Sequence, residues 1–187
     1  MHAKHLIWAL TSASLLSSPS VDVVRAQAEK QASHGIVKGP LPEAVRQATE
    51  GYRDVNNAIA AGYVQNGGCV SGPQEGVMGV HFVKFSLFDG TVDVENPEVL
   101  VYEPRNGQLH LVAAEYVVPA AAWNPANDPS GVPNVMGHLY HFVSGPNRYG
   151  PDAFYELHVW AWKDNPHGSF ADWNPKATCV EWGGTTF

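Results

Sequence analysis

The sequence predicts an α+β fold in which a mainly antiparallel β-sheet packs against one long N-terminal helix, all in a single domain. One apolar stripe of helical period occurs early in the chain, and short apolar segments between glycine- and proline-rich turns make up the rest. No repeated strand–helix–strand alternation is present, so a parallel sheet is not expected. With 187 residues, of which 44% are hydrophobic, the chain suits one ordinary globular domain.

The helix is predicted from the segment "LPEAVRQATEGYRDVNNAIAAGY". Pro42 suits the first turn of a helix, and Gly62 stands where a helix would end. Apolar residues recur at intervals of three and four, which predicts one buried stripe. The residues of this stripe are Val45, Ala48, Tyr52, Val55 and Ile59.

Short apolar runs between turns predict five strands. Their predicted bounds are Val77–Phe85, Glu98–Glu103, Leu109–Val118, His138–Val143 and Phe154–Trp162.

The second and third predicted strands are joined by a hairpin signal, Asn106-Gly107. A two-residue turn there places Tyr102 opposite Leu111, and Glu98 opposite Glu115 on the same face. Facing carboxylates destabilise a sheet unless a metal ion, a shared proton or a base neutralises them. The alternative is that Glu98 lies at a solvated strand end and the register differs by one residue.

The first residues have the pattern of an export signal. A short apolar stretch, 6–16, follows Lys4, and Ala26-Gln27-Ala28 offers a cleavage site of small residues. We therefore expect residues 1–28 to be a signal peptide, with an uncleaved anchor as the alternative, and residues 29–40 to be a flexible lead-in. Residues 41–187 would form the domain of a periplasmic or secreted protein, and no later segment is predicted to span a membrane.

The acidic composition argues against one class of partner. The whole chain carries 11 basic and 18 acidic side chains, and signal removal makes its net charge of −7 one unit more negative. Such a surface repels phosphate backbones. Nucleic acid is therefore not an expected partner.

The chain has two cysteines, Cys69 and Cys179, both in segments with loop-like composition. An oxidising compartment favours their pairing in a disulfide. A catalytic cysteine is the weaker interpretation, because neither neighbourhood supplies an obvious base.

Polar side chains interrupt several apolar runs and indicate a shared site. His81, Glu115 and His158 each interrupt a segment that looks buried, and a buried carboxylate must be paired, coordinated or protonated. Two imidazoles and one carboxylate are a donor set for Zn, Cu or Fe. His141, from "GHLYHF", is a fourth candidate ligand. No HExxH, paired CxxC or HxH element fixes the spacing, and each histidine alone could be a hydrogen-bonded core residue.

Two tryptophans extend this candidate site. Strand alternation puts His158, Trp160 and Trp162 on one face, which suits the wall of a cavity. The alternative is that both rings fill the core.

Several segments together resemble a family of small exported bacterial proteins that is uncharacterised: "MGVHFV", "PEVLVYEP", "LVAAEY", "LHVWAWKDNPHGSFADWNP" and the late "TC". The similarity covers most of the predicted mature chain, and the long final motif is its most specific part. The segment "GHLYHF" departs from the family pattern, so the resemblance does not extend to His141. It implies no particular activity, but it implies a common site at His81, Glu115, His158, Asn165 and Asn174.

Three hypotheses of function follow, and enzymatic activity stays open among them. The first is an exported metal-binding protein, with a metalloenzyme as its catalytic form. The second is a metal-free binder of a small molecule, or an enzyme in which Glu115 is a general base beside a histidine. The third is a structural or interaction domain. The sequence shows no nucleophile elbow, P-loop, dinucleotide fingerprint or c-type haem motif, so neither a nucleotide nor a c-type haem is expected.

Overall fold

A computed structural model describes residues 39–184, and these belong to one compact unit that spans Val37–Phe187. The predicted signal peptide and most of the predicted lead-in lie outside the described residues. Among the described residues, none of the helices has the length and apolar character needed to cross a bilayer.

The fold is mostly one antiparallel sheet of six strands in the order β1-β2-β3-β4-β8-β7, curved like half of a barrel. A separate pair, β5 and β6, forms a small second sheet. The strands are β1 Val64–Gly72, β2 Gly76–Val83, β3 Val99–Arg105, β4 Gln108–Pro119, β5 Asn134–Val135, β6 His138–Leu139, β7 His141–Val143 and β8 Phe154–Val159.

The predicted α+β fold with one long N-terminal helix is wrong, because the helical segment is short and interrupted. Helix α1 is Leu41–Thr49, a 3₁₀ turn follows at Glu50–Arg53, and helix α2 is Val55–Ala60. Asp54 has an extended backbone, and its carboxylate accepts a hydrogen bond from the N–H of Asn56 as the N-cap of α2. The first helical stretch therefore ends after 13 residues, and the second begins in a new direction.

The helical segment covers one face of the sheet. The Tyr102 hydroxyl of β3 donates to the carbonyl oxygen of Tyr52 at 2.7 Å, and Leu41 and Val45 of α1 are fully buried. Ile59, at the end of the predicted stripe, is 52% exposed. The break at Asp54 explains this, since the stripe does not continue in phase through α2.

The predicted hairpin is present, with Tyr102 opposite Leu111 as expected. Both turn residues have positive φ, 54° for Asn106 and 70° for Gly107, which is what this turn requires. Beyond that pair the register shifts, because Val101 lies opposite Ala113. One extra residue of β4 therefore forms a bulge.

The bulge overturns the predicted pairing of two glutamates. Val99, and not Glu98, lies opposite Glu115. The register is off by one residue at this end of the hairpin, as in the alternative, but Glu98 is 3% exposed and does not lie at a solvated strand end.

Two other predicted strands differ from the observed ones. The predicted strand 138–143 is interrupted at Tyr140, so β6 and β7 belong to different sheets. The last strand, β8, ends at Val159 rather than at Trp162. Strand β1 was not predicted, because its sequence "VQNGGCVSG" has little apolar alternation.

A disulfide joins Cys69 of β1 to Cys179 near the C-terminus, as predicted, with the two Cα atoms 5.8 Å apart. It fastens the last described segment to the sheet. Such a bond is compatible with an exported protein.

Candidate functional site

One face of the sheet, which we call the polar face, carries the histidines and carboxylates. Directly paired residues of antiparallel strands point to the same side. Glu115 of β4 lies opposite His158 of β8, and Glu156 of β8 lies opposite His141 of β7. His81 of β2 joins them because its Nε2 lies 3.7 Å from Oε2 of Glu115. The helices pack on the opposite face.

His81 is 1% exposed, and neither of its ring nitrogens has a hydrogen-bond partner among the described residues. Burial lowers the pKa of His81 to about 4, against the opposing effect of the Glu115 charge. At neutral pH the ring is therefore uncharged, and its approach to Glu115 is not an ion pair. A neutral imidazole with a free nitrogen is the form that binds metal ions.

His158 has the same properties as His81. It is 1% exposed, and within residues 39–184 both ring nitrogens lack a partner. Burial lowers its pKa to about 4. The ring stacks on the indole of Trp160 with the centroids 4.9 Å apart, and the Trp160 Nε1–H donates to the carbonyl oxygen of Ala171 at 2.6 Å. The tryptophan thus fixes the plane of the imidazole.

Glu115 is fully buried and carries the negative charge at the centre of the polar face. Burial alone would raise its pKa, but the Arg148 guanidinium, the hydrogen bond with Glu156 and the two histidines together outweigh burial and hold the pKa well below its usual range. Arg148 Nη2 contacts Oε1 of Glu115, and the Tyr149 hydroxyl donates to Oε2. The carboxylate is therefore ionised, as a ligand or a general base requires.

Glu156 forms a second buried carboxyl group beside Glu115. The same Nη2 of Arg148 contacts its Oε2, and His141 Nε2 lies 3.1 Å from its Oε1. Burial, followed by the neighbouring charge of Glu115, raises the pKa of Glu156 to about 8. Each carboxyl group thus directs one oxygen to Arg148 and the other to a histidine.

His141, Glu156 and Asp172 form a triad that could hold a metal ion, since one ligand atom from each lies within 4.8 Å of the others. His141 Nε2 is 3.6 Å from Oδ2 of Asp172. The side chains of His141 and Asp172 are 47% and 29% exposed. The hydrogen bond to Glu156 raises the pKa of His141. The predicted fourth ligand therefore lies in a neighbouring, more open cluster.

A cavity of about 310 Å³ reaches the polar face from the side of β1. It ends at His81 and Arg148, and backbone with glycines forms much of its wall. Solvent or a small molecule can therefore approach His81 from this side. The lining residues are Asn66, Gly67, Gly68, Val70, His81 and Arg148.

Two predicted pocket residues lie away from the polar face. Trp162 follows the end of β8, and its Nε1–H donates to Oγ1 of Thr49 in α1 at 2.9 Å. It packs on the helical side and does not wall the site. Glu98 is 3% exposed, and its carboxylate accepts a hydrogen bond from the N–H of Val117. It does not contact Glu115.

The two predicted asparagines are buried and organise the C-terminal loop. The Asn165 amide donates to the carbonyl oxygen of Trp173 at 3.0 Å, and the Asn174 amide donates to that of Asp164 at 3.1 Å. Both side chains hold the backbone that carries Asp172. Their contribution to the site is indirect.

Sequence reasoning missed four residues of this cluster: Arg148, Tyr149, Glu156 and Asp172. A signal for Glu156 exists, since it stands two residues before His158 and alternation puts both on one face. No local pattern marks the other three, which enter from loops. Their positions depend on how the chain returns to the sheet.

The fold and this cluster define a mainly antiparallel β-protein with a buried histidine–carboxylate site on one face. No family model matches the chain, and neither a curated protein nor a solved structure matches it.

Proposed function

We propose that the protein binds a divalent transition metal ion through His81, Glu115 and His158. One observation carries this proposal: both ring nitrogens of two fully buried histidines have no hydrogen-bond partner among the described residues. A buried polar atom without a partner costs about 1–3 kcal/mol. Coordination to a metal ion would satisfy one nitrogen of each ring.

The charge and protonation of the three side chains support the same conclusion. His81 and His158 are neutral at pH 7 because burial lowers the pKa of each to about 4, and Glu115 is ionised. These are the states that bind a metal ion without releasing a proton. Two imidazoles and one carboxylate suit Zn, Fe or Cu, and three protein ligands leave positions for water or a substrate.

The position of the site supports exchange with solvent or with a small molecule. The 310 Å³ cavity ends at His81, so a ligand could reach a metal ion from the side of β1. A metal-bound water there would be a nucleophile in a hydrolytic metalloenzyme. We propose that an exported, oxidising environment is the setting, since the disulfide fits it.

The test is elemental analysis of the folded protein after separate reconstitution with Zn²⁺, Cu²⁺ and Fe²⁺. We expect bound metal in the wild type, and its loss at this site in His81→Gln and His158→Ala. His167→Gln, which changes an exposed loop histidine, is the matched control and should leave metal content unchanged. Thermal melts of each variant without metal establish that the fold survives.

Metal-free wild-type protein after all three reconstitutions would overturn the proposal. That result would favour the metal-free alternative, in which ionised Glu115 is a general base for a small molecule in the cavity. Retention of all metal in both histidine variants would also contradict it, because the ion would then be bound elsewhere.

A further inference from the structure

We infer that the polar face holds two metal ions, the second bound by His141, Glu156 and Asp172. This inference rests on the proposed function, since it adds a position beside the first one. The two positions differ in donor chemistry: the first offers two imidazoles and one carboxylate, and the second one imidazole and two carboxylates.

The contacts of the two buried glutamates separate these positions. Arg148 Nη2 contacts Oε1 of Glu115 and Oε2 of Glu156. The remaining oxygens have different neighbours: Oε2 of Glu115 lies 3.7 Å from His81 Nε2 and accepts from the Tyr149 hydroxyl, and Oε1 of Glu156 lies 3.1 Å from His141 Nε2. Both outer oxygens can therefore bind a cation while Arg148 keeps the inner ones.

The outer oxygen of Glu156 faces a nearly formed cation position. His141 Nε2 lies 3.1 Å from that oxygen and 3.6 Å from Oδ2 of Asp172, and the three ligand atoms lie within 4.8 Å of one another. These separations suit ligands placed around one ion at about 2.0–2.2 Å from each. Only small side-chain shifts are needed.

A second observation points to a cation beside Asp172. His158 is 1% exposed with both ring nitrogens unpartnered within residues 39–184, and the charge of Asp172 acts on this ring. The carboxylate of Asp172 therefore lies near enough to act on the His158 ring, whose two nitrogens have no hydrogen-bond partner among the described residues. The Arg148 guanidinium contacts both Glu115 and Glu156. Glu156 is largely protonated at pH 7, so a metal ion at this position would bind in exchange for that proton.

The exposure of the ligands predicts how the two positions differ. His141 and Asp172 are partly exposed, whereas His81 and His158 are 1% exposed. The second ion should exchange faster with solvent, and its oxygen-rich donor set should accept Mn²⁺ more readily than the first position does.

The experiment titrates the metal-free, full-length protein with Zn²⁺ and, separately, with Mn²⁺ followed by electron paramagnetic resonance. We expect two Zn²⁺ ions per chain. His141→Gln and Asp172→Asn should each lower the affinity of the second position for Zn²⁺ by more than about tenfold and leave binding at the first position unchanged. The reason is that loss of a direct ligand costs more than outer-shell changes, which cost about 10–100-fold. Both side chains are partly exposed, so the variants should fold. Asp164→Asn, at an exposed carboxylate of the same loop, is the control.

The outcomes separate this inference from the proposed function. One ion per chain that depends on His158 and not on Asp172 overturns the second position alone. One ion that depends on Asp172 and not on His81 or His158 overturns the proposed first position and supports the triad. Two ions that both survive Asp172→Asn and His141→Gln overturn the second position as drawn.

Discussion

The carboxylate of Glu98 accepts a hydrogen bond from the backbone N–H of Val117 at 2.9 Å. This contact replaces the expected pairing of Glu98 with Glu115. Glu98 has no salt-bridge partner among the described residues, and burial raises its pKa to about 8. The side chain is therefore a neutral acid at pH 7 and stays buried without a counter-ion.

Glu98→Gln should make the protein more stable at high pH. The folded-state pKa of about 8 lies above the ordinary value of 4.5, so the folded state binds more protons than the unfolded state between these values. The stability contributed by protonated Glu98 is then fully present below about pH 4.5 and is lost as the pH rises through 8. The gain in Glu98→Gln should be below about 1 kcal/mol at pH 5 and reach up to about 5 kcal/mol at pH 9.

Denaturant unfolding across this pH range measures the difference between the two proteins. Glu50→Gln, at an exposed position, is the control and should show a small, pH-independent change. A Glu98→Gln effect that does not vary with pH would mean that this carboxyl group is ionised throughout.

Glu115→Gln should destabilise the metal-free protein. The substitution removes the ionised partner of Arg148, and breaking a buried pair typically costs about 3–5 kcal/mol. The Arg148 side chain is 23% exposed and keeps its contact with Glu156, so we expect a cost at or below the lower end of that range. Tyr149→Phe removes only the hydroxyl contact to the same carboxylate and should cost about 1.5 kcal/mol. Equal free energies of unfolding for the two variants would show that the charge of Glu115 contributes little. Glu115→Gln should also lower the affinity of the first position for its metal ion.

Arg148→Met should separate stability from metal binding. Without the guanidinium, two buried carboxyl groups lose their shared cation, so the metal-free protein should melt at a lower temperature. The same change removes a positive charge from beside both metal positions but also the main charge that keeps Glu115 ionised. At a pH high enough to ionise both carboxyl groups, affinity for Zn²⁺ should therefore rise by about tenfold or more, equivalent to about 1.4 kcal/mol. Titration calorimetry measures the affinity. An unchanged affinity would show that Arg148 does not compete with metal ions for these carboxylates.

Substitution by alanine should destabilise the protein to different extents at two glycines. Gly107, with φ 70°, has no heavy atom within 4 Å of an added Cβ, so Gly107→Ala should cost about 1 kcal/mol from backbone strain alone. At Gly79, with φ 124°, an added Cβ would lie 2.7 Å from the carbonyl oxygen of Tyr102. Gly79→Ala should therefore cost more than about 3 kcal/mol. Chemical denaturation compares the two, and equal costs would contradict the close approach of β2 and β3.

The disulfide should dominate the stability of the C-terminal segment. Its cysteines are 110 residues apart in sequence, and the chain-entropy model gives about 4–5 kcal/mol for a loop of that length. The double substitution of Cys69 and Cys179 to alanine should lower the free energy of unfolding by about that amount, and reduction of the wild type should match it. Thiol titration of the denatured, unreduced protein should find no free thiol.

Local sequence patterns predicted some of these elements because their causes are local. Asn106-Gly107 tolerates positive φ at both positions, so the turn and the Tyr102–Leu111 pair were predictable. The bulge at the next residue of β4 was not, because Val112 is apolar like its neighbours and nothing local marks an extra residue. Its carbonyl oxygen accepts a hydrogen bond from the N–H of Trp162 at 3.1 Å, a partner 50 positions away in sequence.

The helix prediction failed for a reason visible in the sequence. The apolar stripe gave a continuous period, but Gly51 and Asp54 interrupt it, and Asp54 has the side chain of an N-cap. Apolar residues at helical spacing continue across Asp54, so the hydrophobic pattern alone predicts one uninterrupted helix. The structure shows that the cap defines the start of α2.

The candidate site was predictable only where it lies on strands. His81, Glu115 and His158 interrupt apolar runs, and alternation places them on a common face. Arg148 and Asp172 enter from loops, so no periodicity could connect them with Glu115 or His141. The balance of charge in the site depends on these loop residues. It could therefore be established only from the three-dimensional structure.

The bond between Cys69 and Cys179 closes the intervening backbone into a covalent ring. Every proposed donor, from His81 to Asp172, lies on this ring, and so does Arg148. A protease that cuts the backbone once inside the ring, for example in the exposed segment between β4 and β5, would leave both pieces attached through the sulfur bridge. The metal positions would then keep all their side chains on one connected molecule, and a nicked chain would separate only after reduction.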